Sequence, residues 1–291
     1  MSVGVSSLHG RQGAAQAKNR EWNYRAGCPK AVFEDAINRL GKMHGSSFAK
    51  ARIFLEQYKS EMPADRPIKV LEVGSKSYHD QDTYRGLFPS PAYSYSGLDI
   101  EAGNNVDIVP ANPFIWNEIK NNSFDICVSG QTFEHNPYFW ITFAEIARVL
   151  TPGGMALIVA PGGGPVHRYP VDCWRFYPDS WAALCAVTGM ELVESYFETD
   201  DMAATVTGGG WRDSAVITRK PQLKGSQLTT FHKRLDELVG LFKKENMPLQ
   251  RAPLEPGKWI TAYREEMQKT FPMTLSKAIH RKIRKPKAIH N

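Results

Sequence analysis

Residues 68–74 read IKVLEVG, an apolar run that prolines at positions 63 and 67 precede and a glycine ends. Such a run predicts a buried strand, and Gly74 permits a tight turn directly after it. Further strand patterns follow at 93–98, 106–109, 124–129, 155–160, 191–197 and 214–218, and helical patterns lie at 139–150 and 178–188. This alternation predicts an α/β fold with a mainly parallel sheet that helices cover on both faces.

Composition and charge exclude several classes of protein. The 291 residues, 42% hydrophobic and 23% charged, are typical of a globular chain and exclude wholesale disorder or a minimal stapled scaffold. The net charge of +6 equals the six Lys and Arg of residues 277–291, which contain no acid, so the rest of the chain is balanced. The charge therefore indicates a basic tail, either solvated or in contact with phosphate or anionic lipid, and no basic face on the fold.

Changes of composition divide the chain into five parts: a flexible leader at 1–27, N-terminal helices at 28–60, a core at 61–222, a C-terminal helical appendage at 223–276 and the basic tail at 277–291. The appendage is expected to pack on the core or to join two subunits in a homo-oligomer or with a partner. The four cysteines are widely spaced, which favours free thiols in a reducing compartment. Without a long apolar segment, the chain is expected to be cytoplasmic.

In open parallel sheets, ligands bind beyond the carboxyl ends of the strands. Asp99 ends the second strand, where an acidic side chain can accept hydrogen bonds from both hydroxyls of a ribose, and Gly74 would let a ligand approach the backbone. Neither GxGxxG nor GxxxxGK[ST] is present, so the pattern does not support binding of a pyrophosphate or phosphate chain. The sequence predicts a nucleoside-type ligand.

Five segments occur in a specific order: LEVG at 71–74, GLD at 97–99, FDICV at 124–128, EH at 134–135 and EIARVLTPGG at 145–154. In this order they resemble the class I S-adenosylmethionine-dependent methyltransferases, over about residues 66–197. The resemblance implies a Rossmann-like, seven-stranded sheet and S-adenosylmethionine as cofactor. The first turn departs from the family, because Ser75-Lys76-Ser77 stands where further glycines are common.

The resemblance implies that Asp107 lies near the adenine and that Lys76 either meets the carboxylate of the cofactor or points to solvent. The residues expected to bind the cofactor are Glu72, Gly74, Ser75, Lys76, Asp99, Ile100, Asp107, Ser129, Gly130, Gln131 and Phe133.

A second polar region is the loop after the fifth strand, at 161–179, which resembles an HxYPxDxWRFxPD stretch of methyltransferases that modify sugars, glycans or secondary metabolites. We expect His167 as general base, His135 as the second choice and Asp172 as the residue that orients the base. The expected substrate-binding residues are Arg168, Tyr169, Trp174 and Arg175.

Each of these assignments has a structural alternative. Asp172 and Arg175, three residues apart, can simply pair and hold the loop. Glu134 and His135 can cap the following helix, and Trp174 can be a packing residue. No metal site is expected, because the eight histidines are scattered and show no recognised ligand spacing.

The sequence therefore predicts O-methylation of a small molecule or of a sugar or glycan hydroxyl. Two alternatives stay open: a methyltransferase acting on RNA or other nucleic acid, and an inactive methyltransferase fold that serves as a partner subunit. The basic tail favours the first alternative, whereas the balanced charge elsewhere opposes it. The altered first turn, at 75–77, favours the second alternative, an inactive partner subunit.

Overall fold

The computed structural model describes residues 45–78, 83–198, 211–240, 242–243 and 257–270. The predicted leader, the first predicted helix and the basic tail lie outside these residues. Among the described residues, no helix combines the length and the apolar character that crossing a bilayer requires.

Six strands form one mixed sheet in the described part of the chain. In chain order they are β1 (Ile68–Val73), β2 (Tyr93–Leu98), β3 (Phe124–Gly130), β4 (Leu150–Pro161), β5 (Glu191–Phe197) and β6 (Asp213–Arg219). Their spatial order is β2-β1-β3-β4-β6-β5. The first four strands pair in parallel, and β6 runs antiparallel to both β4 and β5. The predicted Rossmann-like α/β arrangement is confirmed at this level.

Five α-helices accompany the sheet in the described residues: α1 (Gly45–Tyr58), α2 (Phe139–Val149), α3 (Pro178–Thr188), α4 (Gly225–Val239) and α5 (Lys258–Thr270). Proline at the first position of α3 suits a helix start, since its missing N–H is not needed there. Gly189 ends α3 with φ +80°, the left-handed conformation that closes many helices.

The third of the seven predicted strands, at 106–109, is reduced to a single parallel bridge between Leu98 and Ile108. Asn105 turns the chain just before it, with φ +70°. The amides of Asp107 and Ile108 both donate to the carbonyl of Gly97, so the hydrogen bonds converge on one residue and do not form a ladder. A short apolar run predicts extended backbone but does not guarantee a strand partner.

The sequence TPGG at 151–154, directly after the predicted helix at 139–150, lies inside β4. The pairing of β3 with β4 shifts there: Phe124 faces Leu150, while Ile126 faces Met155. Gly153 has φ +81° and donates its N–H to the carbonyl of Lys220. The four residues thus end α2 and form an irregularity in the strand.

Two hydrophobic layers, one on each face, sandwich the sheet. Helices α2, α3 and α4 pack on one face, where the core includes Leu71, Cys127, Ile146, Trp181 and Phe231. Helix α1 packs on the other face, with a core that includes Val70, Ile126, Leu157, Phe54 and Tyr84. Neighbouring residues of β1 and β3 alternate between the layers because side chains alternate along a strand.

A buried polar network joins α1 to the sheet. Asp213, which is 2% exposed, accepts hydrogen bonds from Ser46 Oγ and Lys50 Nζ, both at 2.8 Å. Lys50 Nζ also pairs with Glu198 at 2.8 Å, and Gln131 Nε2 donates to Asp213 at 3.0 Å. The network fixes the turn after β3 against both α1 and β6.

Candidate active site

The four parallel strands place their carboxyl ends at one edge of the sheet, and the first turn, after β1, folds over the end of β2. The amides of Gly74 and Ser75 donate to the carbonyl of Leu98, at 2.9 and 3.1 Å. The amide of Lys76 donates to Asp99 Oδ2 at 2.9 Å, and the amide of Ser77 donates to the carbonyl of Asn104. These amides are therefore engaged within the protein.

Both the backbone conformation at position 74 and the close packing around it require a glycine. Its φ of +78° lies in the left-handed region that favours glycine. A Cβ at this position would overlap the side chain of Thr132, from the turn after β3. The sequence interpretation, in which Gly74 leaves room for a ligand, needs correction, because Thr132 occupies that room.

Asp99 is half-buried at the edge of the sheet. Its Oδ2 accepts from the amide of Lys76 and its Oδ1 from that of Glu101, at 2.9 and 3.3 Å. A carboxylate can accept about four hydrogen bonds, so acceptor capacity for ribose hydroxyls remains. The neighbouring Ile100 is 54% exposed and offers an apolar surface beside this carboxylate.

Asp107, which the resemblance places near the adenine, lies beside the end of β2 and has structural partners. Its Oδ2 accepts from the amide of Gly97 at 2.8 Å and pairs with Arg85 at 2.6 Å. Arg85 also donates to Asn105 at 2.6 Å. Because a Cβ at Gly97 would overlap the carbonyl oxygen of Asn105, this corner is packed closely.

The side chain of Lys76 lies against Glu101 and Tyr78. Its ammonium pairs with Glu101 at 2.6 Å and lies 5.0 Å from the ring centre of Tyr78. The hydrogen bond to Glu101 raises the pKa of Lys76 above its ordinary value. Lys76 thereby ties the first turn to the segment after β2.

Glu72, in β1, is 3% exposed. It accepts hydrogen bonds from the hydroxyl of Tyr95 and, at 3.4 Å, from the amide of Asn105. Burial raises the pKa of Glu72 to about 7, against the opposing effect of these donors. The carboxyl group of Glu72 therefore holds Tyr95 and Asn105 in place.

Glu72 is expected to make the stability of the protein depend on pH. An acid with a raised pKa in the folded state contributes stability at low pH and loses it as the pH rises through the folded value. Between pH 4.5 and 7 we expect a loss of about 3 kcal/mol from this group. Thermal unfolding of the wild type and of Glu72→Gln, measured from pH 4.5 to 8, tests this prediction. The difference between the two should change with pH, whereas the difference for the exposed Glu265→Gln should not; parallel curves for Glu72→Gln would contradict the prediction.

The turn after β3 brings together residues that serve the fold. Ser129 is buried and donates to the carbonyl of Val73 at 2.9 Å, and a Cβ at Gly130 would overlap the hydroxyl of Tyr84. Gln131, with φ +57°, belongs to the network of Asp213. Phe133 was expected to line the cofactor, but its ring is fully buried in the core.

Glu134 and His135 follow in a short 3-10 turn, and neither caps α2: the carboxylate of Glu134 accepts no hydrogen bond from the helix, and Nδ1 of His135 contacts Val171. Glu134 is 1% exposed, and burial raises its pKa to about 8. Burial also lowers the pKa of His135, whose Nδ1 lies 2.6 Å from the carbonyl oxygen of Val171. The ring of His135 meets that of His167 edge to face, with centres 4.7 Å apart.

The loop after β4 is organised around Asp172. Arg175 binds both carboxylate oxygens, at 2.6 and 2.8 Å, and the amide of His167 donates to Oδ2 at 2.7 Å. Burial alone would raise the pKa of Asp172, but Arg175 and the amide of His167 outweigh it and lower the pKa to about 2. Nδ1 of His167 lies 3.2 Å from Asp172 Oδ2, so this carboxylate orients the imidazole.

The expected substrate residues divide by exposure. Tyr169 is 60% exposed and touches Tyr78 across the first turn, with ring centres 5.7 Å apart. Trp174 is 38% exposed and packs edge to face on Phe139. Arg168 is half-buried. Arg175 binds Asp172 and the carbonyls of Pro165 and Trp174. These contacts are those of a residue that pairs with Asp172 and holds the loop.

The structure adds residues that sequence reasoning missed. Thr132 fills the space beside Gly74, Arg85 pairs with Asp107, and Trp211 places its ring 4.4 Å from that of His167. Glu134, His135 and His167 also come together as a possible metal-binding group, although no such group was expected. In the sequence, the adjacent pair Glu134-His135 was the available signal for this metal-binding group. The third member, His167, comes from a separate loop.

A family model described as "Methyltransferase domain" matches residues 96–158. An uncharacterized methyltransferase of Mycobacterium ulcerans (strain Agy99) is 33% identical over 86 residues, which cover 28% of this chain and 33% of that protein. The match thus spans about a third of the length of this curated relative.

Two solved structures have a similar backbone. One is the 1,6-didemethyltoxoflavin-N1-methyltransferase of Burkholderia thailandensis, with TM-score 0.46, 16% identity and coverage of 65% of this chain and 81% of that chain. The other is a complex of the Haloferax volcanii Trm112 methyltransferase activator with a methyltransferase described as putative, with TM-score 0.44, 17% identity and coverage of 66% and 95%.

The matched segment, 96–158, runs from the end of β2 through β3 and α2 into β4 and includes Asp99, Asp107, Glu134 and His135. Over these residues the chain is similar to a methyltransferase domain.

Proposed function

We propose that this protein transfers a methyl group from S-adenosylmethionine to a hydroxyl of a small molecule, sugar or glycan. The observation that carries the proposal is Asp99, half-buried at the carboxyl edge of the sheet within the matched segment, with acceptor capacity left on its carboxylate. The nucleoside half of the cofactor fits this corner, because Asp99 can bind the ribose and Ile100 can cover an adenine.

The first turn fits the methionine half less well, because the amides from Gly74 to Ser77 already have protein acceptors. Cofactor affinity then depends mainly on Asp99 and Asp107 at the end of β2. Glu72, Ser75, Ser129, Gly130 and Gln131 act by positioning these loops.

Asp99→Asn tests cofactor binding with little disturbance of the turn. The amide oxygen of asparagine can still accept from the amide of Lys76, but the side chain loses the charge and one accepting group. We expect S-adenosylhomocysteine to bind at least 10-fold more weakly, measured by calorimetry, because a charge-assisted hydrogen bond contributes about 1.5 to 3 kcal/mol. Glu265→Gln, an exposed carboxylate on α5, is the control. Unchanged affinity in Asp99→Asn, or no binding by the wild type, would reject the assignment.

The acceptor is proposed to lie at His167, because this ring has a carboxylate on one side and remains 35% exposed. His167 accepts the proton of the acceptor hydroxyl as its oxygen attacks, and Asp172 stabilises the imidazolium. When bound, S-adenosylmethionine supplies an electrophilic methyl group on a sulfonium. His135, with its lowered pKa and its bond to Val171, is the less suitable base.

Tyr169, Trp174 and Arg168 are proposed to contact the acceptor, since they belong to the same loop as His167. Tyr169 and Trp174 offer exposed aromatic faces, on which a sugar ring or a flat acceptor can pack.

The thiols of Cys127 and Cys185 are free and buried, which supports a cytoplasmic location.

A further inference from the structure

The carboxylate of Glu134 is buried, and no other residue in the described part of the chain donates a hydrogen bond to it. Its side chain is 1% exposed, and neither oxygen has a partner among the described residues. A buried carboxylate without a partner is costly, so a site of this kind calls for a proton or a cation. The oxygen Oε1 points toward His135, with 3.6 Å between Oε1 and Nε2.

His135 does not supply the missing donor in its favoured tautomer. Nδ1 lies 2.6 Å from the carbonyl oxygen of Val171, and only a protonated Nδ1 can donate to it. The neutral ring then carries its lone pair on Nε2, directed at Glu134. With Glu134 ionised, two acceptors face each other across 3.6 Å, an arrangement that a proton on Glu134 or a shared cation stabilises.

His167 brings a third ligand atom to the same place. One ring nitrogen of each histidine and one oxygen of Glu134 all lie within 4.8 Å of one another. The carboxylate of Asp172 lies 3.2 Å from Nδ1 of His167 and is held in turn by Arg175. A carboxylate behind a histidine is the usual outer support of a metal-binding imidazole.

We propose that Glu134, His135 and His167 bind a divalent first-row transition-metal ion, with Asp172 as the outer partner of His167. Two imidazoles and one carboxylate suit Zn²⁺, Co²⁺ or Fe²⁺ and leave a coordination position open. Bonds of about 2.0 to 2.2 Å place tetrahedral ligands about 3.4 Å apart, so small side-chain rotations of about 1 Å complete the site.

A role for the ion in catalysis rests on the proposed function. An acceptor hydroxyl bound at the open position would lose its proton more easily, because the ion lowers the pKa of a bound oxygen acid. The ion would then activate the hydroxyl in place of His167, and the released proton would pass to bulk water. Binding of the ion itself needs no acceptor and no methyl donor.

Cobalt titration of the full-length protein tests the site directly. After removal of metals with a chelator, we expect one equivalent of Co²⁺ to produce visible absorption bands, and Zn²⁺ to abolish them by competition. Glu134→Gln and His135→Gln should each weaken Co²⁺ binding at least 10-fold, and Asp172→Asn should weaken it about 10- to 100-fold. His232→Gln, a histidine on α4 that contacts Asn122 instead, is the matched control and should bind Co²⁺ like the wild type.

The proposal is overturned if the wild type shows no saturable cobalt band, or if Glu134→Gln and His135→Gln bind Co²⁺ as the wild type does. The wild-type titration decides the matter even if a variant does not fold. Binding of S-adenosylhomocysteine, measured on the same preparation, keeps the two proposals separate. Cobalt binding without S-adenosylhomocysteine binding would refute the proposed function alone, and the reverse result would refute the metal site alone.

Discussion

His167→Ala is expected to slow methyl transfer to a hydroxyl acceptor by about 100- to 10,000-fold, the usual contribution of a positioned acid or base. Binding of S-adenosylhomocysteine should stay within about twofold of the wild type, because Asp99 and His167 belong to separate loops. Single-turnover transfer from labelled S-adenosylmethionine, compared with calorimetric binding, gives the two quantities independently.

The contacts of His167 are the reason to expect slower methyl transfer in His167→Ala. Asp172 orients the ring from one side, and the rings of His135 and Trp211 lie on others, at 4.7 and 4.4 Å. His232→Ala is the matched control, since it removes an imidazole far along the chain from this loop. Transfer at the wild-type rate in His167→Ala would remove His167 from the mechanism and leave the fold assignment intact. Cobalt titration of the same variant distinguishes a base from a metal ligand.

Trp181→Ala is expected to destabilise the protein by about 3 to 5 kcal/mol, the usual cost of removing a buried large aromatic side chain. Trp181, on α3, is fully buried and stacks on Phe176, with ring centres 4.6 Å apart and planes 10° apart. Its indole N–H donates to Ser214 Oγ at 2.7 Å. The substitution therefore removes both a stacked pair and a buried hydrogen bond.

Thermal and denaturant unfolding measure this loss. We expect Trp181→Phe to cost about 1 to 3 kcal/mol, because it keeps an aromatic ring but leaves Ser214 without its donor. Trp259→Ala, at a position that is 78% exposed on α5, should change stability by less than about 0.5 kcal/mol. Equal effects of Trp181→Ala and Trp259→Ala would show that the stack contributes little.

The fold could be predicted where local pattern and long-range packing agree. The runs that became β1, β2 and β5 have the predicted bounds. The pattern at 106–109 failed because strand formation needs a partner along its length, and Gly97 supplies only one acceptor. TPGG lies inside β4 because Gly153 donates a hydrogen bond to the carbonyl of Lys220. Such a contact between distant residues leaves no trace in the periodicity of the sequence.

The candidate site was less accessible to sequence reasoning. The edge of the sheet and the loop after β4 could be named, since both follow from strand order. The contacts that define the site join residues far apart in the chain, such as Gly74 with Thr132 and Arg85 with Asp107. The pairing of His135 with His167 has the same origin, so the spacing of histidines carried no signal for it.

Helix α1 sets a practical limit on truncation. Lys50 is the cation that Glu198 and Asp213 share, and Ser46 donates to Asp213 as well. A recombinant fragment that begins after α1 would leave two buried carboxylates uncompensated, at a cost of about 3 to 5 kcal/mol for a broken buried pair. The shortest fragment suitable for expression therefore extends well upstream of residue 96, where the match to the methyltransferase domain begins.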